Sequence, residues 1–263
     1  MGSTRIIIVD NGSFEPETTL SLRRLAAAVS TLIGQPVHAV SVLHSHKVDA
    51  SLLGNQPAQI FSDAVIAANR DGITDLIVLP LFMGPSRAIT EFLPEQFKLH
   101  ARPELKMQIA PTLYADDGLL RSILIDQLHA TGWKKNSGTV LLCDHGSPAV
   151  EVTQVRNALA EEIRNALQLT ASELIACSME RRPGDEYAFN EPLLETALSH
   201  ASEDCVILMQ FLLPGRHAGA GGDVEEICAK HAPAGLKWRR SDLIGTHPKL
   251  ASLLAKRYAQ VGL

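Results

Sequence analysis

The chain has 263 residues, of which 46% are hydrophobic and 20% charged, the balance of a globular protein with one large domain or two smaller ones. Its net charge of −5 argues against a nucleic-acid-binding protein, although a local arginine cluster could still bind an anionic small molecule. No apolar run reaches the roughly 18 residues needed to cross a bilayer, and the N-terminus lacks the pattern of a secretory signal. We therefore expect no membrane partner.

The four cysteines are widely spaced and include no C-x-x-C pair. Three of them fall in apolar runs that predict strands. This pattern indicates small buried side chains and favours a reducing, cytoplasmic location. The cysteines are Cys143, Cys177, Cys205 and Cys228.

Predicted strands and helices alternate along the chain. The run 5–9 is β-branched, as in a strand buried on both faces, and 18–33 has the apolar spacing of a helix. Because strands alternate with helices, we expect right-handed βαβ units and parallel sheets. Further strands are predicted at 37–43, 75–79, 106–110, 139–143, 174–178, 205–209 and, more weakly, 237–243; further helices at 57–70, 91–99, 117–130, 151–167, 191–201, 223–231 and 248–259.

The alternation repeats after a polar break near 132–138, and three segments of the second half align with the first at an offset of about 130 residues. We therefore predict an α/β protein with two similar domains, 1–131 and 137–263. Each would be a small parallel sheet flanked by helices, with the carboxyl ends of the strands facing a cleft between the domains. The aligned segments are Asp10–Ser13 with Asp144–Ser147, Leu81–Ala88 with Phe211–His217 after one gap, and Leu113–Leu120 with Leu243–Leu250.

Polar residues follow three predicted strands of the second half. His145, Glu180 and His217 each come directly after a strand, where parallel sheets bind their ligands. Two imidazoles and one carboxylate suit Fe²⁺, Co²⁺, Ni²⁺ or Zn²⁺. A single strand-end histidine is more often a packing residue, and a lone glutamate a surface charge. The convergence of three strand ends favours a metal site.

The first half lacks this set. Asn11 stands at the place of His145, and Ala88 at the place of His217. At the place of Glu180, in the run Val42-Leu43-His44-Ser45-His46, a histidine appears instead. Asparagine and alanine do not replace imidazole as ligands. We therefore expect the first half to form one wall of the cleft and to have no metal site of its own.

The strand-end motifs resemble the class II tetrapyrrole chelatases, the sirohydrochlorin chelatases of siroheme and cobalamin biosynthesis. The resemblance covers nearly the whole chain, as in the long, internally duplicated form of the family. This chain differs from the family in its first half, where long members typically keep the histidine pair. The motifs are Asp144-His145-Gly146-Ser147, Met179-Glu180, the run Pro214–Asp223, and Leu79–Pro85 in the first half.

The resemblance implies an enzyme, a lyase that inserts Co²⁺, Fe²⁺ or Ni²⁺ as substrate into sirohydrochlorin or a related polycarboxylate tetrapyrrole. Its metal and catalytic residues would be His145, His217 and Glu180. No Walker A loop is present, so neither ATP nor another nucleotide is expected. Guanidinium groups suit the peripheral carboxylates. The candidates for substrate binding are Arg216, Arg87, Arg181, Arg182 and Ser147.

Two other functions stay open. The chain could be a non-catalytic protein that binds metal or tetrapyrrole and derives from a chelatase, since the first half has lost its ligands. It could also be an unrelated hydrolase that uses His145 and Ser147, but no G-x-S-x-G motif surrounds the serine. The sequence is compatible with a monomer of two fused halves or with a homodimer.

Overall fold

The protein contains two four-stranded parallel sheets with the same strand order. The computed structural model describes residues 3–115, 117–202 and 204–261. The sheets run in the orders β2-β1-β3-β4 and β6-β5-β7-β8, so the predicted pair of parallel sheets is confirmed. The strands are β1 Thr4–Asp10, β2 Val37–Ser41, β3 Asp75–Pro80, β4 Lys106–Ile109, β5 Thr139–Asp144, β6 Leu174–Ser178, β7 Asp204–Met209 and β8 Lys237–Arg240.

Helices lie between successive strands, as the alternation predicts. They are α1 Pro16–Ile33, α2 Phe61–Arg70, α3 Leu93–His100, α4 Leu119–Ala130, α5 Val150–Leu167, α6 Leu194–Ser199, α7 Asp223–His231 and α8 Lys249–Ala259. Within the described ranges, no helix is both long and apolar enough to cross a membrane.

Two helices begin later than the sequence predicts, for the same reason. The N–H of Ser41 donates to the carbonyl of Gln59, 2.9 Å away, and the N–H of Ser178 donates to that of Pro192, 3.1 Å away. The residues before α2 and α6 are therefore held extended beside the ends of β2 and β6. Each helix can begin only after this bridge.

The two inner strands of each sheet, β1 and β3 in the first and β5 and β7 in the second, are buried on both faces, which explains their apolar composition. The four cysteines are fully buried in a cluster on one face of the second sheet, confirming them as small core side chains. Burial raises the pKa of Cys205 and of Cys228 to about 12. The thiols are therefore protonated and unreactive in the folded protein.

The chain forms two compact units, divided after Ala115 and again after His247. The first contains β1–β4, α1–α3 and α8; the second contains α4, β5–β8 and α5–α7. In the first unit α8 packs on α1 and β3, and in the second α4 packs on α5 and β7. This division departs from the predicted domains 1–131 and 137–263, because each half of the sequence contributes its last helix to the other unit.

Arg257 fixes α8 in the first unit. Its side chain is fully buried, and its guanidinium donates to the carbonyls of Thr112 and Leu113 at 2.9 and 2.8 Å. These two residues follow β4. A buried guanidinium is tolerated only where such acceptors surround it, so α8 has a specific partner.

Candidate metal-binding site

Three strand ends of the second unit bring His145, Glu180 and His217 together. The ring centroids of His145 and His217 are 4.6 Å apart, with an angle of 70° between the rings. Nε2 of His145 is 3.5 Å from Oε1 of Glu180. All three side chains are partly exposed. The three residues predicted to hold a metal ion are thus neighbours beyond the carboxyl ends of the strands.

Gly146 explains why the His145 and Glu180 loops approach so closely. Its φ is +91°, and a Cβ at this position would lie 1.9 Å from the carbonyl oxygen of Glu180. The N–H of Glu180 donates to the carbonyl of His145 at 3.2 Å. Only glycine fits this contact, so Gly146 is required for the two candidate ligands to be adjacent.

A buried polar network supports these loops from below. Arg156 donates to Ser178 Oγ at 2.5 Å and to the carbonyl of Asn190 at 2.9 Å, and it lies 3.8 Å from Asp144. Ser178 and the N–H of Gly146 donate to Oδ1 of Asp144 at 2.6 and 3.1 Å. Burial raises the pKa of Asp144, and Arg156 opposes this shift. The network fixes the strand ends from which His145 and Glu180 project.

Both imidazoles are oriented through Nδ1. His217 Nδ1 lies 2.6 Å from Oδ2 of Asp223, and His145 Nδ1 lies 3.0 Å from the carbonyl of Gly146. In the tautomer that donates from Nδ1, both Nε2 atoms keep a lone pair for an ion. A carboxylate behind a metal-binding histidine is a common supporting contact. Asp223 is therefore a candidate positioning residue for His217.

The donor set is open. Within residues 3–115, 117–202 and 204–261, no three His, Cys, Asp or Glu side chains are close enough to form a complete metal-binding group. His145 contacts both His217 and Glu180, so closing the set around an ion requires only a rearrangement of exposed side chains.

The predicted substrate-binding residues differ in how far their side chains are already held by hydrogen bonds and ion pairs within the protein. Arg216 is 82% exposed, although its guanidinium lies 3.7 Å from Asp223, and Arg182 is exposed. Arg181 donates to Glu191 at 2.7 Å and to two backbone carbonyls, so it braces its own loop. Ser147 Oγ accepts the N–H of Ala149 at 3.0 Å, at the start of α5.

Arg87 belongs to the first unit, where it lies 3.9 Å from Glu91. Its backbone position matches that of Arg216. The N–H of Leu81 donates to the carbonyl of Val9 in β1. In the second unit, the N–H of Gln210 donates to the carbonyl of Cys143 in β5. Counting from these two residues, Ala88 stands at the place of His217, as the sequence indicates.

Leu43, not a histidine, occupies the position of Glu180 in the first unit. Gly12 has a φ of +86°, and a Cβ there would lie 1.8 Å from the carbonyl oxygen of Leu43. The N–H of Leu43 donates to the carbonyl of Asn11, as that of Glu180 does to His145. The expectation that a histidine takes this place is therefore wrong, because the loop after β2 puts Leu43 there and His44 one residue later. All three ligand positions are uncharged in the first unit.

Asp10 is the counterpart of Asp144, but it has no buried arginine beside it. Counting from these two aspartates, Leu22 stands at the place of Arg156. Asp10 is buried, and its Oδ1 has no hydrogen-bond partner among the described residues. Burial raises its pKa from 3.8 to about 6, and hydrogen bonds from Ser41 and the Gly12 backbone oppose the shift only partly. The first unit therefore buries a carboxyl group that is costly to ionise.

This carboxyl group should make stability depend on pH. The folded state holds a proton on Asp10 up to about pH 6, whereas the unfolded chain loses it near pH 4. The free energy of unfolding should therefore fall by up to about 3 kcal/mol between pH 4 and pH 7 because of this group. We expect Asp10→Asn to lack that part of the decline in urea unfolding, and the exposed-site control Asp63→Asn to retain it. Identical pH profiles for Asp10→Asn and the unchanged protein would contradict this expectation.

Comparisons with known proteins give a family match in the second half of the chain and similar solved structures. Residues 139–261 match the family model CbiX. No curated protein matches the sequence significantly. SirB from Bacillus subtilis with Fe³⁺ has 16% identity and a TM-score of 0.69, over 98% of this chain and 95% of that one.

Two further solved structures are similar over almost the full length. CbiX, described as the terminal enzyme for biosynthesis of siroheme in denitrifying bacteria, has 16% identity and a TM-score of 0.66, over 99% of this chain and 100% of that one. The sirohydrochlorin chelatase SirB from Bacillus subtilis subspecies spizizenii, in complex with cobalt, has 15% identity and a TM-score of 0.68, over 98% and 94%. At these identities the structural matches establish a shared fold. Residues 139–261 therefore match the CbiX family model, and the whole chain has the fold of the solved sirohydrochlorin chelatases.

Proposed function

We propose that this protein inserts a divalent metal ion, Co²⁺, Fe²⁺ or Ni²⁺, into sirohydrochlorin or a related polycarboxylate tetrapyrrole. The observation that carries the proposal is the contact of His145 with both His217 and Glu180, inside the half of the chain that matches the CbiX family. We further propose that the enzyme acts in the cytoplasm without a nucleotide, as a monomer of two fused halves or as a homodimer.

Insertion has two barriers that these side chains are suited to lower. The ion must lose water, and two pyrrole N–H protons must leave the macrocycle as the ion enters. The Nε2 atoms of His145 and His217, with a Glu180 oxygen, can replace part of the hydration shell. Imidazole and carboxylate groups not bound to the ion can accept the two protons near neutral pH. The open donor set then allows the ring nitrogens to take over the ion.

Arginines near the site would bind the carboxylates of the macrocycle. Arg216 adjoins His217 in the chain, and Arg182 lies two residues after Glu180. Both side chains are exposed, and a guanidinium binds a carboxylate through two parallel hydrogen bonds. Arg181 and Ser147 would act mainly by holding their loops, and Arg87, which belongs to the first unit, stays a candidate for binding a carboxylate.

A non-catalytic binding protein is the second candidate function. It is favoured by the loss of all three ligand types in the first unit, where Asn11, Leu43 and Ala88 stand at the ligand positions. Such a protein would bind the ion or the macrocycle once per chain and would not release metallated product.

A multiple-turnover assay separates the two functions. Purified protein is mixed with a large excess of sirohydrochlorin and Co²⁺, and the absorbance of the macrocycle is followed beside a protein-free control. Many equivalents of cobalt complex per chain, formed faster than in the control, support a chelatase. A change that stops at one equivalent supports a binding protein.

Asp223 should tune the affinity of the site for the ion. Removing the carboxylate behind His217 frees the ring to rotate and lowers the basicity of Nε2. We expect Asp223→Ala to weaken Co²⁺ binding by about 10- to 100-fold, as measured by spectroscopic titration of the protein alone. Asp223→Asn should lose less, because the amide oxygen can still accept a hydrogen bond from the Nδ1–H group of His217. Glu226→Ala, in the same helical turn, is the control; an equal loss in this control would show that general surface charge is responsible.

A further inference from the structure

Asn190 joins the two loops of the second unit that carry His145 and Glu180. It is the last residue of a short 3-10 helix, Asp185–Asn190, in the stretch of chain that follows Glu180. Its side chain is fully buried. A buried amide is costly unless its polar atoms are hydrogen-bonded, so the partners of Asn190 show what its burial achieves.

The Asn190 amide holds both backbone groups of Ser147. Its Oδ1 accepts the N–H of Ser147 at 2.9 Å, and its Nδ2 donates to the carbonyl of Ser147 at 3.0 Å. The same Oδ1 accepts the hydroxyl of Thr153 at 3.1 Å, and Nδ2 also donates to the carbonyl of Tyr187 at 3.0 Å. The hydrogen-bonding capacity of the amide is thus fully used. Two of its four bonds go to the residue that lies two places after His145.

The loop of His145 is therefore held on both sides of the imidazole. The N–H of Glu180 donates to the carbonyl of His145, and Asn190 binds the backbone of Ser147. Glu180 and Asn190 lie at the two ends of one segment, so this segment fixes the loop at two points. An exposed imidazole on a fixed backbone loses less conformational freedom when it binds an ion, which favours binding.

The first unit has no amide at the position of Asn190. Counting back two residues from the carbonyls that bridge to β2 and β6, Pro57 stands at the place of Asn190. A proline side chain neither donates nor accepts a hydrogen bond. Thr19 stands at the place of Thr153, and its buried hydroxyl has no hydrogen-bond partner among the described residues. The hydroxyl that Asn190 satisfies in the second unit is thus left unsatisfied in the first.

The loop of the first unit that matches the His145 loop is held by a different contact. The N–H of Ser13, which stands at the place of Ser147, donates to the hydroxyl of Ser45 at 3.2 Å. A single hydroxyl has therefore replaced the amide. The unit that has both imidazoles is also the unit that has the amide, which associates Asn190 with the ion site.

We propose that Asn190 is a positioning residue of this site. It fixes the backbone of the His145 loop, so that Nε2 of His145 stays within reach of an ion bound to His217. The proposal rests on the proposed function, because the ion is the substrate of that reaction. Asn190 acts through the backbone of Ser147 and does not itself bind the ion. Its loss should therefore weaken capture of the ion as well as the fold.

Co²⁺ binding to the full-length protein, measured by spectroscopic titration without macrocycle, tests the proposal. We expect Asn190→Ala to raise Kd by about tenfold and to change the visible spectrum of the bound cobalt. Asn190→Asp should raise Kd less, because it keeps the shape of the side chain and the oxygen that accepts the Ser147 N–H.

Thr153→Val is the matched control. It removes a buried hydrogen bond to the same Oδ1 of Asn190 but leaves both bonds to Ser147 in place. Its Kd and its cobalt spectrum should equal those of the unchanged protein.

Urea unfolding of the same variants separates positioning from stability. Asn190→Ala and Thr153→Val should both lower the urea concentration at the unfolding midpoint, but only Asn190→Ala should change Kd. If Kd rises equally in both variants, or in neither, Asn190 only supports the fold and the proposal is overturned. If Asn190→Ala does not fold, Asn190→Asp takes its place in this comparison.

Failure of this proposal is distinguishable from failure of the proposed function. If the unchanged protein metallates sirohydrochlorin over many turnovers and Asn190→Ala binds Co²⁺ equally tightly, the positioning role is wrong and the chelatase function stands. If no protein metallates the macrocycle but Kd for Co²⁺ rises in Asn190→Ala and not in Thr153→Val, the positioning role stands and the chelatase function fails.

Discussion

Replacing His145 or His217 by alanine should lower the rate of metal insertion by at least about 100-fold. The two imidazoles are adjacent, and only the second unit has imidazoles at both loop positions. Removing either leaves too few donors to strip water from the ion, and it also removes a group that can accept a pyrrole proton. Initial rates with Co²⁺ and sirohydrochlorin would measure the loss, with circular dichroism confirming that each variant is folded.

Histidines of the first unit provide the matched controls. His46→Ala should cost little, because that exposed side chain has no partner ligands at positions 11 and 88. His44→Ala should also cost little, because His44 has no histidine partners at positions 11 and 88 with which to complete a ligand set. Full activity in His217→Ala would refute the assignment. A loss confined to the His44 or His46 variants would move the metal site to the first unit.

Cutting the chain at the repeat boundary should prevent either half from folding. A fragment of residues 1–131 keeps α4 but lacks α8, which buries Leu250, Leu253 and Leu254 in the first unit. Three buried leucines contribute on the order of 6 kcal/mol, which is comparable to the whole stability of a typical domain. The fragment would also lose the buried bonds from Arg257 to the end of β4.

A fragment cut at the boundaries of the compact units should behave differently. Residues 116–247 include α4, which buries Leu120, Ile123 and Leu124 in the second unit. We expect this fragment to unfold cooperatively in urea, whereas fragments 1–131 and 137–263 show no such transition. Cooperative unfolding of 1–131 would contradict the exchange of α4 and α8.

Much of the fold could be predicted because the inner strands of both sheets are almost fully buried. Runs such as Ile6–Val9 are apolar and β-branched without alternation, which distinguishes them from the neighbouring helices. The exchange of α4 and α8 could not be predicted in this way. Duplication gives both helices the same leucine pattern, so local periodicity fits either sheet equally well. The partner is decided by tertiary contacts such as those of Arg257, which has Gln127 at the corresponding place in α4.

Part of the candidate site could also be predicted from the sequence. The strand-end rule identified His145, Glu180 and His217 because topology alone brings these positions together. It missed Asp223, six residues after His217, because the turn between them folds back in a way that spacing does not reveal. It also missed Arg156, although a charged residue on the apolar stripe of α5 was an available signal. The histidine expected at the position of Glu180 in the first half was wrong, because Leu43 occupies that position.

The central claim is that the second unit alone holds the incoming ion between two strand-end imidazoles. Crystals soaked in Co²⁺ and measured on both sides of the cobalt absorption edge test it most directly. A cobalt ion within about 2.2 Å of Nε2 of both His145 and His217, lost in crystals of His217→Ala, is the predicted result. A cobalt ion bound instead at His44 or His46 of the first unit, with none at the His145–His217 pair, would contradict the account.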